Sequence, residues 1–265
     1  MNIVTVVQAR CSSTRLPDKV LLPLAGESLL FRLLERISNS KLKGQIIVAT
    51  STENSDDIIE KLCIDKNFNC YRGSLNDLLD RHYQAAKLLN ANAVVKIPSD
   101  CPLIDPQIID KVIGFFIEHS SDFDFVSNLH PATYPDGNDV EIMHFNVLED
   151  AWKNAKRQLE REHTTPYIWE NPDKFRIGNV EWETGLNYSM THRFTIDYPE
   201  DYEFIKRVYD ELYHKNPKFG LNEILQLLEA KPEIKKINEK YNGVNWYRNH
   251  LNELKTITAD QTKII

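Results

Sequence analysis

The run Ile3-Val4-Thr5-Val6-Val7 is short, rich in β-branched residues and apolar on both faces. A strand of that kind is covered from two sides, which calls for a parallel sheet between layers of helix. It passes at once into Gln8-Ala9-Arg10-Cys11-Ser12-Ser13-Thr14-Arg15-Leu16-Pro17-Asp18-Lys19, a polar segment with three cations and several hydroxyls. A loop held at the end of a rigid strand can offer backbone N–H groups and positive charge to a polyphosphate. Arg10 and Arg15 would fork onto phosphate oxygens, and Lys19 would act as a point charge on the outermost ones. The competing reading is a solvated basic loop following an edge strand.

The rest of the first half repeats the alternation of strand and helix. Helical spacing covers Leu29 to Ile37 after a short apolar link at Val20–Leu24, and Gln45 to Thr50 reads as a second strand. Ser51 to Asp56 looks like a loop with a helix cap, followed by a helix through Cys63. A short strand at Asn69–Arg72 leads through Gly73-Ser74 to a helix from Leu75 to Leu89. Ala93 to Ile97 is the third long strand, ending at Ser99-Asp100-Cys101-Pro102-Leu103-Ile104 before a helix with Pro106 in its first turn. In such sheets ligands bind beyond the carboxyl ends of the strands, where the connections change direction. Gln8–Lys19, Gly73–Arg81 and Ser99–Ile104 are therefore expected on one edge.

The second half is less regular. Strands are expected at Asp124–Asn128, at Val140–Phe145 and, ending in an acid, at Arg193–Asp201. Helices are expected at Val147–Leu159, at Tyr202–Tyr213 and from Leu221 onward. Phe175 to Glu183 alternates like an exposed strand, suited to an arm or a dimer contact, and Thr256 to Ile265 is expected to fray. The division this suggests is a main domain over 1–215, with a less regular insertion at 134–190, and a helical extension over 216–265.

A net charge of −7 argues against a broad nucleic-acid surface and makes the cationic loop a site for a small anion. The first apolar run is too short for a leader, and no stretch approaches the roughly 20 apolar residues that span a bilayer. Cys11, Cys63, Cys70 and Cys101 form no C-x-x-C pair and no zinc spacing, so they read as reduced thiols of a cytoplasmic protein. Asp100 and Asp197 stand at expected strand ends. Each alone is an ordinary capping residue; beside a phosphate loop, the two suit Mg²⁺, which takes one or two carboxylates plus substrate phosphates.

Gln8-Ala9-Arg10, Ser13-Thr14-Arg15-Leu16-Pro17-x-Lys19, Ser99–Ile104 and Thr195-Ile196-Asp197-Tyr198-Pro199-Glu200-Asp201 resemble the blocks of the sugar-acid cytidylyltransferases. Those enzymes make CMP-sialic acid and CMP-3-deoxy-manno-octulosonate. Arg72-Gly73-Ser74 with Asp80-Arg81, Pro135-Asp136-Gly137-x-Asp139-Val140-Glu141 and Glu162-His163-x-Thr165-Pro166-Tyr167 are similar to the spore-coat polysaccharide branch. The resemblance spans Ile3 to about Tyr202. It implies a Rossmann-like three-layer α/β/α nucleotidyltransferase fold with a mostly parallel central sheet, and transfer of CMP from CTP to an acidic sugar with release of pyrophosphate. By position, Arg15 and Lys19 would hold the triphosphate and, with Asp100, carry the chemistry; Asp100 and Asp197 would bind Mg²⁺. Gln8, Ala9, Arg10, Ser12, Ser13, Thr14 and Gly73 would lie along the nucleotide. Arg81 would close that side, or else be a surface helix residue. Asp139, Glu141, Glu162 and His163 would face the acceptor, although His163 better suits a hydrogen-bonding helix end and Glu141 equally suits an exposed strand position. The resemblance also implies that 1–215 is the nucleotidyltransferase domain, that 134–190 is an acceptor and dimerisation insertion, and that the protein is a homodimer.

Two departures from the sialic and octulosonic acid enzymes stand out: Ser99 replaces a Gly before the metal-segment aspartate, and Asp18 replaces the Gly usual before the lysine. Cys101, with no base beside it, reads as packing. Asp122-Phe123-Asp124 spells the D-x-D of metal-dependent glycosyltransferases, the nearest rival class, but falls between a helix and a strand where a turn is expected. A non-catalytic nucleotide-sugar module would have no need of both aspartates. A phosphorylated or phosphonate acceptor is the remaining alternative. No G-x-G-x-x-G or Walker motif is present.

Overall fold

The computed structural model describes all 265 residues. Its centre is a seven-stranded sheet. The strands are β1 (Ile3–Gln8), β4 (Gln45–Ser51), β5 (Asn69–Gly73), β6 (Ala93–Pro98), β7 (Phe125–Ser127), β8 (Glu141–His144) and β9 (Ile177–Asn179), with a two-residue hairpin of β2 (Pro23–Leu24) and β3 (Glu27–Ser28) set apart. The order across the sheet is β5-β4-β1-β6-β8-β7-β9. β5, β4, β1 and β6 are mutually parallel, and only β8 runs against its neighbours. The mostly parallel α/β/α architecture expected from the sequence is therefore observed.

The pleat divides β1 between two cores. Val4 and Val6 join Ile47, Ala49 and Val94 beneath the helices Leu78–Leu88 and Phe145–Asn154. Ile3 and Val7 face the other way with Val48, Val95 and Ile97, beneath the helices Leu29–Asn39, Pro106–Glu118 and Pro199–Leu212. Local chemistry sets where these helices begin. Ser28 accepts from Phe31 N–H, Asp77 from Asp80 N–H, and Asp105 from Gln107 N–H just ahead of Pro106.

The structure departs from the sequence reading in five places. The Asp77 cap delays the helix expected from Leu75 until Leu78. The single helix expected over Val147–Leu159 is two, Phe145–Asn154 and Gln158–His163, because Glu160 turns back to accept from the N–H groups of Lys156 and Arg157. The segment Arg193–Asp201 is not a strand. Its N–H groups go instead to Asp136 O from Phe194, to Asp100 O from Ile196, and to the Asp201 carboxylate from Asp197 and Tyr198. The stretch Phe175–Glu183 is no projecting arm: β9 pairs with β7 at the sheet edge while Phe175, Val180 and Trp182 are buried. The last ten residues do not fray. Ile257 and Thr262 are buried, and Lys263 N–H donates to Gly243 O at 2.7 Å.

Candidate active site

β1 and β6 are neighbours, and the chain leaves β1 toward β4 on the opposite side, so the connections diverge between them. The loop after β1 is fixed from below. Ala9 N–H donates to Ala49 O, and Cys11 N–H to Asp56 Oδ1 at 2.8 Å. Asp56 is buried and also accepts from the N–H and hydroxyl of Ser51. Burial pushes its carboxyl up, but these hydrogen bonds outweigh it and hold Asp56 below the ordinary range. The N–H groups of Ser13 and Asp18 then converge on Cys11 O, closing the loop. Asp18 has φ of +54°, a left-handed conformation open to Gly and tolerated by Asp, which accounts for the residue interchange at this position.

That turn delivers Lys19 to a pair of carboxylates. Lys19 Nζ lies 3.1 Å from Asp100 Oδ2, 3.3 Å from Asp197 Oδ1 and 2.6 Å from Ile196 O. Arg15 reaches Asp197 Oδ1 at 2.6 Å from the solvent side. Asp100 and Asp197 meet because residues 194–197 cross the end of β6: Ile196 N–H and Thr195 Oγ1 both donate to Asp100 O. Burial lowers Lys19, but the two aspartates outweigh it and raise its affinity for a proton. Asp197, pushed up by burial, is brought below its usual range by Lys19, Arg15 and Arg193.

Arg193, which the sequence reading did not single out, is the hub beneath them. Its buried guanidinium pairs with Asp197 at 3.1 Å, Asp201 at 3.0 Å and Asp136 at 3.3 Å. Asp136 and Asp139 complete an acidic floor. Burial and the neighbouring carboxylates raise Asp136 well above the ordinary range and Asp139 to about 6. No cluster of three His, Cys, Asp or Glu side chains encloses a metal position by itself. The donor set nonetheless fits Mg²⁺ shared with phosphate oxygens: two hard carboxylates, Asp100 and Asp197, with further acidic groups behind them.

All of this opens into one cavity of about 840 Å³, large enough for a nucleotide and a second small molecule. Gln8, Ala9, Arg10, Ser12, Ser13, Thr14, Arg15, Lys19, Arg81, Asp100, Asp139, Glu141, Glu162, His163 and Asp197 all line it.

A family model described as cytidylyltransferase matches residues 4–234. The chain belongs to the cytidylyltransferase family. The spore coat polysaccharide biosynthesis protein SpsF of Bacillus subtilis is 32% identical over 88% of this chain and 96% of its own length. The solved structure of a cytidylyltransferase from Leptospira borgpetersenii superposes with a TM-score of 0.83 at 33% identity, covering 89% of this chain and 97% of that one. The 3-deoxy-manno-octulosonate cytidylyltransferase of Chloroherpeton thalassium is 35% identical over 46% of this chain and 48% of its own.

Within this cytidylyltransferase, one wall of the cavity is made by the β1 loop with Leu75, Asn76, Leu78 and Arg81. Arg81 is 2% exposed, so it is not a surface helix residue, and its Nε and Nη1 have no protein partner. Burial, reinforced by Arg10, lowers it to about 10. Gly73 does not line the cavity. A Cβ there would lie 2.8 Å from the Tyr71 ring and 3.0 Å from Arg81 Cγ, so this glycine makes room for both.

The opposite wall holds Asp136, Asp139, Glu141, Glu162 and His163. Glu141 is not an exposed strand position: it is 3% exposed, ion-paired with Lys96, and accepts from Thr165 Oγ1 at 2.7 Å. The His163 ring stacks on Trp246 at 3.7 Å, and burial lowers it to about 3, so it is a neutral aromatic surface. Trp246, Tyr247 and Arg248 bring the C-terminal segment into the same wall, a contribution for which the local sequence carries no motif. Cys101 is fully buried with its thiol pushed far up, as packing requires. Asp122 and Asp124 lie outside the cavity, tied to His119 and Arg176, so the D-x-D is a surface turn.

Proposed function

We propose that this cytidylyltransferase transfers CMP from CTP to an acidic sugar, with Mg²⁺ as cofactor, and so supplies an activated sugar for surface glycan synthesis. The observation that carries the reading is Lys19, delivered by the cationic loop to within 3.3 Å of both Asp100 and Asp197 inside one cavity. Arg15 and Lys19 hold the triphosphate, Arg10, Ser12, Ser13 and Thr14 supply the cradle around it, and Gln8, Ala9 and Arg81 lie along the nucleoside. Asp100 and Asp197 hold Mg²⁺, which supplies charge compensation for the phosphates. The acceptor oxygen forms a bond to the α-phosphorus. The bond from that phosphorus to the bridging oxygen breaks, and its electron pair leaves with pyrophosphate. Arg15 and Lys19 stabilise that charge by electrostatics fixed in advance. We assign the proton of the acceptor hydroxyl to Asp139, a carboxylate that lines the acceptor wall of the cavity and whose ionised form burial disfavours.

The octulosonate enzyme supports an acidic sugar as acceptor, and the spore-coat relative supports a place in polysaccharide synthesis. No helix is long and apolar enough to cross a membrane, which accords with a soluble donor and acceptor. Cytoplasmic residence and a homodimer built through 134–190 belong to the same proposal, and sedimentation tests the dimer. The deciding experiment measures pyrophosphate release from each of the four nucleoside triphosphates, with and without Mg²⁺, against a panel of acidic sugars. Release with CTP, dependent on the metal and on one acidic sugar, is expected. Use of a preformed nucleotide-sugar instead would overturn the reading.

A further inference from the structure

The acceptor wall poses an electrostatic problem. Asp136 and Glu141 are each paired with a cation, but Asp139 lines the same wall without an ion pair, and an acceptor that itself carries an anionic group finds no free positive charge among them. Two cations there are fully engaged: half-buried Lys96 pairs with Glu141, and buried Arg193 pairs with three aspartates while also donating to Val244 O. Arg248 is different. It lines the cavity, forms no ion pair, and gives only Nη2 to a neutral partner, Tyr198 OH at 3.1 Å. Its Nη1 is shielded from solvent and has no partner at all. A guanidinium stays charged under all ordinary conditions, and a shielded N–H without an acceptor costs stability unless something else takes it.

The segment around Arg248 is held as a rigid strap. Trp246 stacks on His163, Tyr247 N–H donates to Asn245 Oδ1, Asn245 Nδ2 donates to Gln261 O, and Val244 O accepts from Arg193. The strap lies outside the span of the family match, residues 4–234. We propose that Arg248 is a specificity-determining residue whose guanidinium, lining the cavity and held by no protein carboxylate, binds the anionic group of the acceptor, a carboxylate or a phosphate, by a charge-assisted hydrogen bond. The inference rests on the function proposed above and names the group that makes the cavity select an acidic acceptor.

The test uses the full chain loaded with α,β-methylene-CTP and Mg²⁺. Calorimetry follows the binding of 3-deoxy-manno-octulosonate and N-acetylneuraminate as carboxylate probes and of glucose 1-phosphate as the phosphate probe. Wild type is expected to bind one anion class. Arg248→Ala should weaken that binding about 10- to 100-fold, Arg248→Lys should restore part of it, and affinity for the nucleotide should stay within about twofold. In turnover the loss should appear in the acceptor KM rather than in kcat. Unchanged acceptor affinity in Arg248→Ala, weakened nucleotide affinity, or no binding of either anion class by wild type each overturns the proposal. Failure of wild type to bind the CTP analogue would instead remove the proposed function. Thermal melting of both variants separates a folding defect from a binding one.

Discussion

The two walls of the cavity are built on opposite principles. The nucleotide wall comes largely from one contiguous stretch, residues 8–19, whose backbone is pinned by Asp56 and whose cations reach outward. The acceptor wall is assembled from 128–141, 158–169, 187–198 and 243–248, and most of its charges are neutralised internally. A polyphosphate is recognised by charge and exposed N–H groups, which a single loop can supply. A sugar is recognised by shape and by a few polar groups set in place, which takes several elements converging. The nucleotide end is therefore suited to staying constant while the acceptor end is free to change.

Five measurements would break or sharpen that contrast. Asp100→Asn should lower kcat about 10³-fold with Mg²⁺ while leaving the fold intact by circular dichroism; wild-type rates would remove Asp100 from the metal site. Lys19→Ala should lower kcat/KM for CTP about 10²-fold with little change in acceptor KM, and a loss shared equally by both substrates would mean the walls are not separable. Arg193→Met should cost about 3–5 kcal/mol in urea unfolding, since it strands buried aspartates. A loss under 1 kcal/mol would mean the acidic floor stands without its hub.

Asp139→Asn should abolish most turnover yet raise Tm at neutral pH. The Asp139 carboxyl is raised to about 6 in the folded protein and titrates near 4 when unfolded, so ionising it opposes folding. That penalty is complete above about pH 6 and vanishes as the pH falls toward 4, so the gain in Tm must shrink over the same window. An equal gain at pH 4 and pH 7 would assign the effect to packing instead. Smallest of all, Asp18→Gly should change unfolding free energy by less than about 1 kcal/mol and leave the CTP KM unaltered, because only the left-handed turn is required there. A large shift in that KM would give the Asp18 carboxylate a part in nucleotide binding.

What the sequence disclosed follows the same division. Arg15, Lys19 and Asp100 were legible because the strand before each segment is a run of β-branched residues and the loop chemistry is local. Asp197 was legible as an acid but misread as a strand end, since its approach to Asp100 depends on hydrogen bonds that bypass the ladder: Ile196 to Asp100 O, and Asp197 to its own helix cap Asp201. Glu141 looked exposed because the period of two that marks a solvent face cannot register Lys96 on the neighbouring strand. Arg193 and Arg248 carried no local signal at all. Their partners lie between four and 57 residues away, and only the folded chain shows that one guanidinium is surrounded while the other has an open N–H.

Arg193 also gives the carboxyl terminus a mechanical role. Its guanidinium holds the aspartates and, through the same Nη1 that meets Asp136, donates to Val244 O, while Lys263 N–H latches onto the neighbouring Gly243 O. Arg193 thereby links the tail to the reaction centre, alongside the stacking of Trp246 on His163 and the Arg248 bond to Tyr198 OH. A change that unlatches Lys263 from Gly243 would therefore loosen the catalytic floor from a distance.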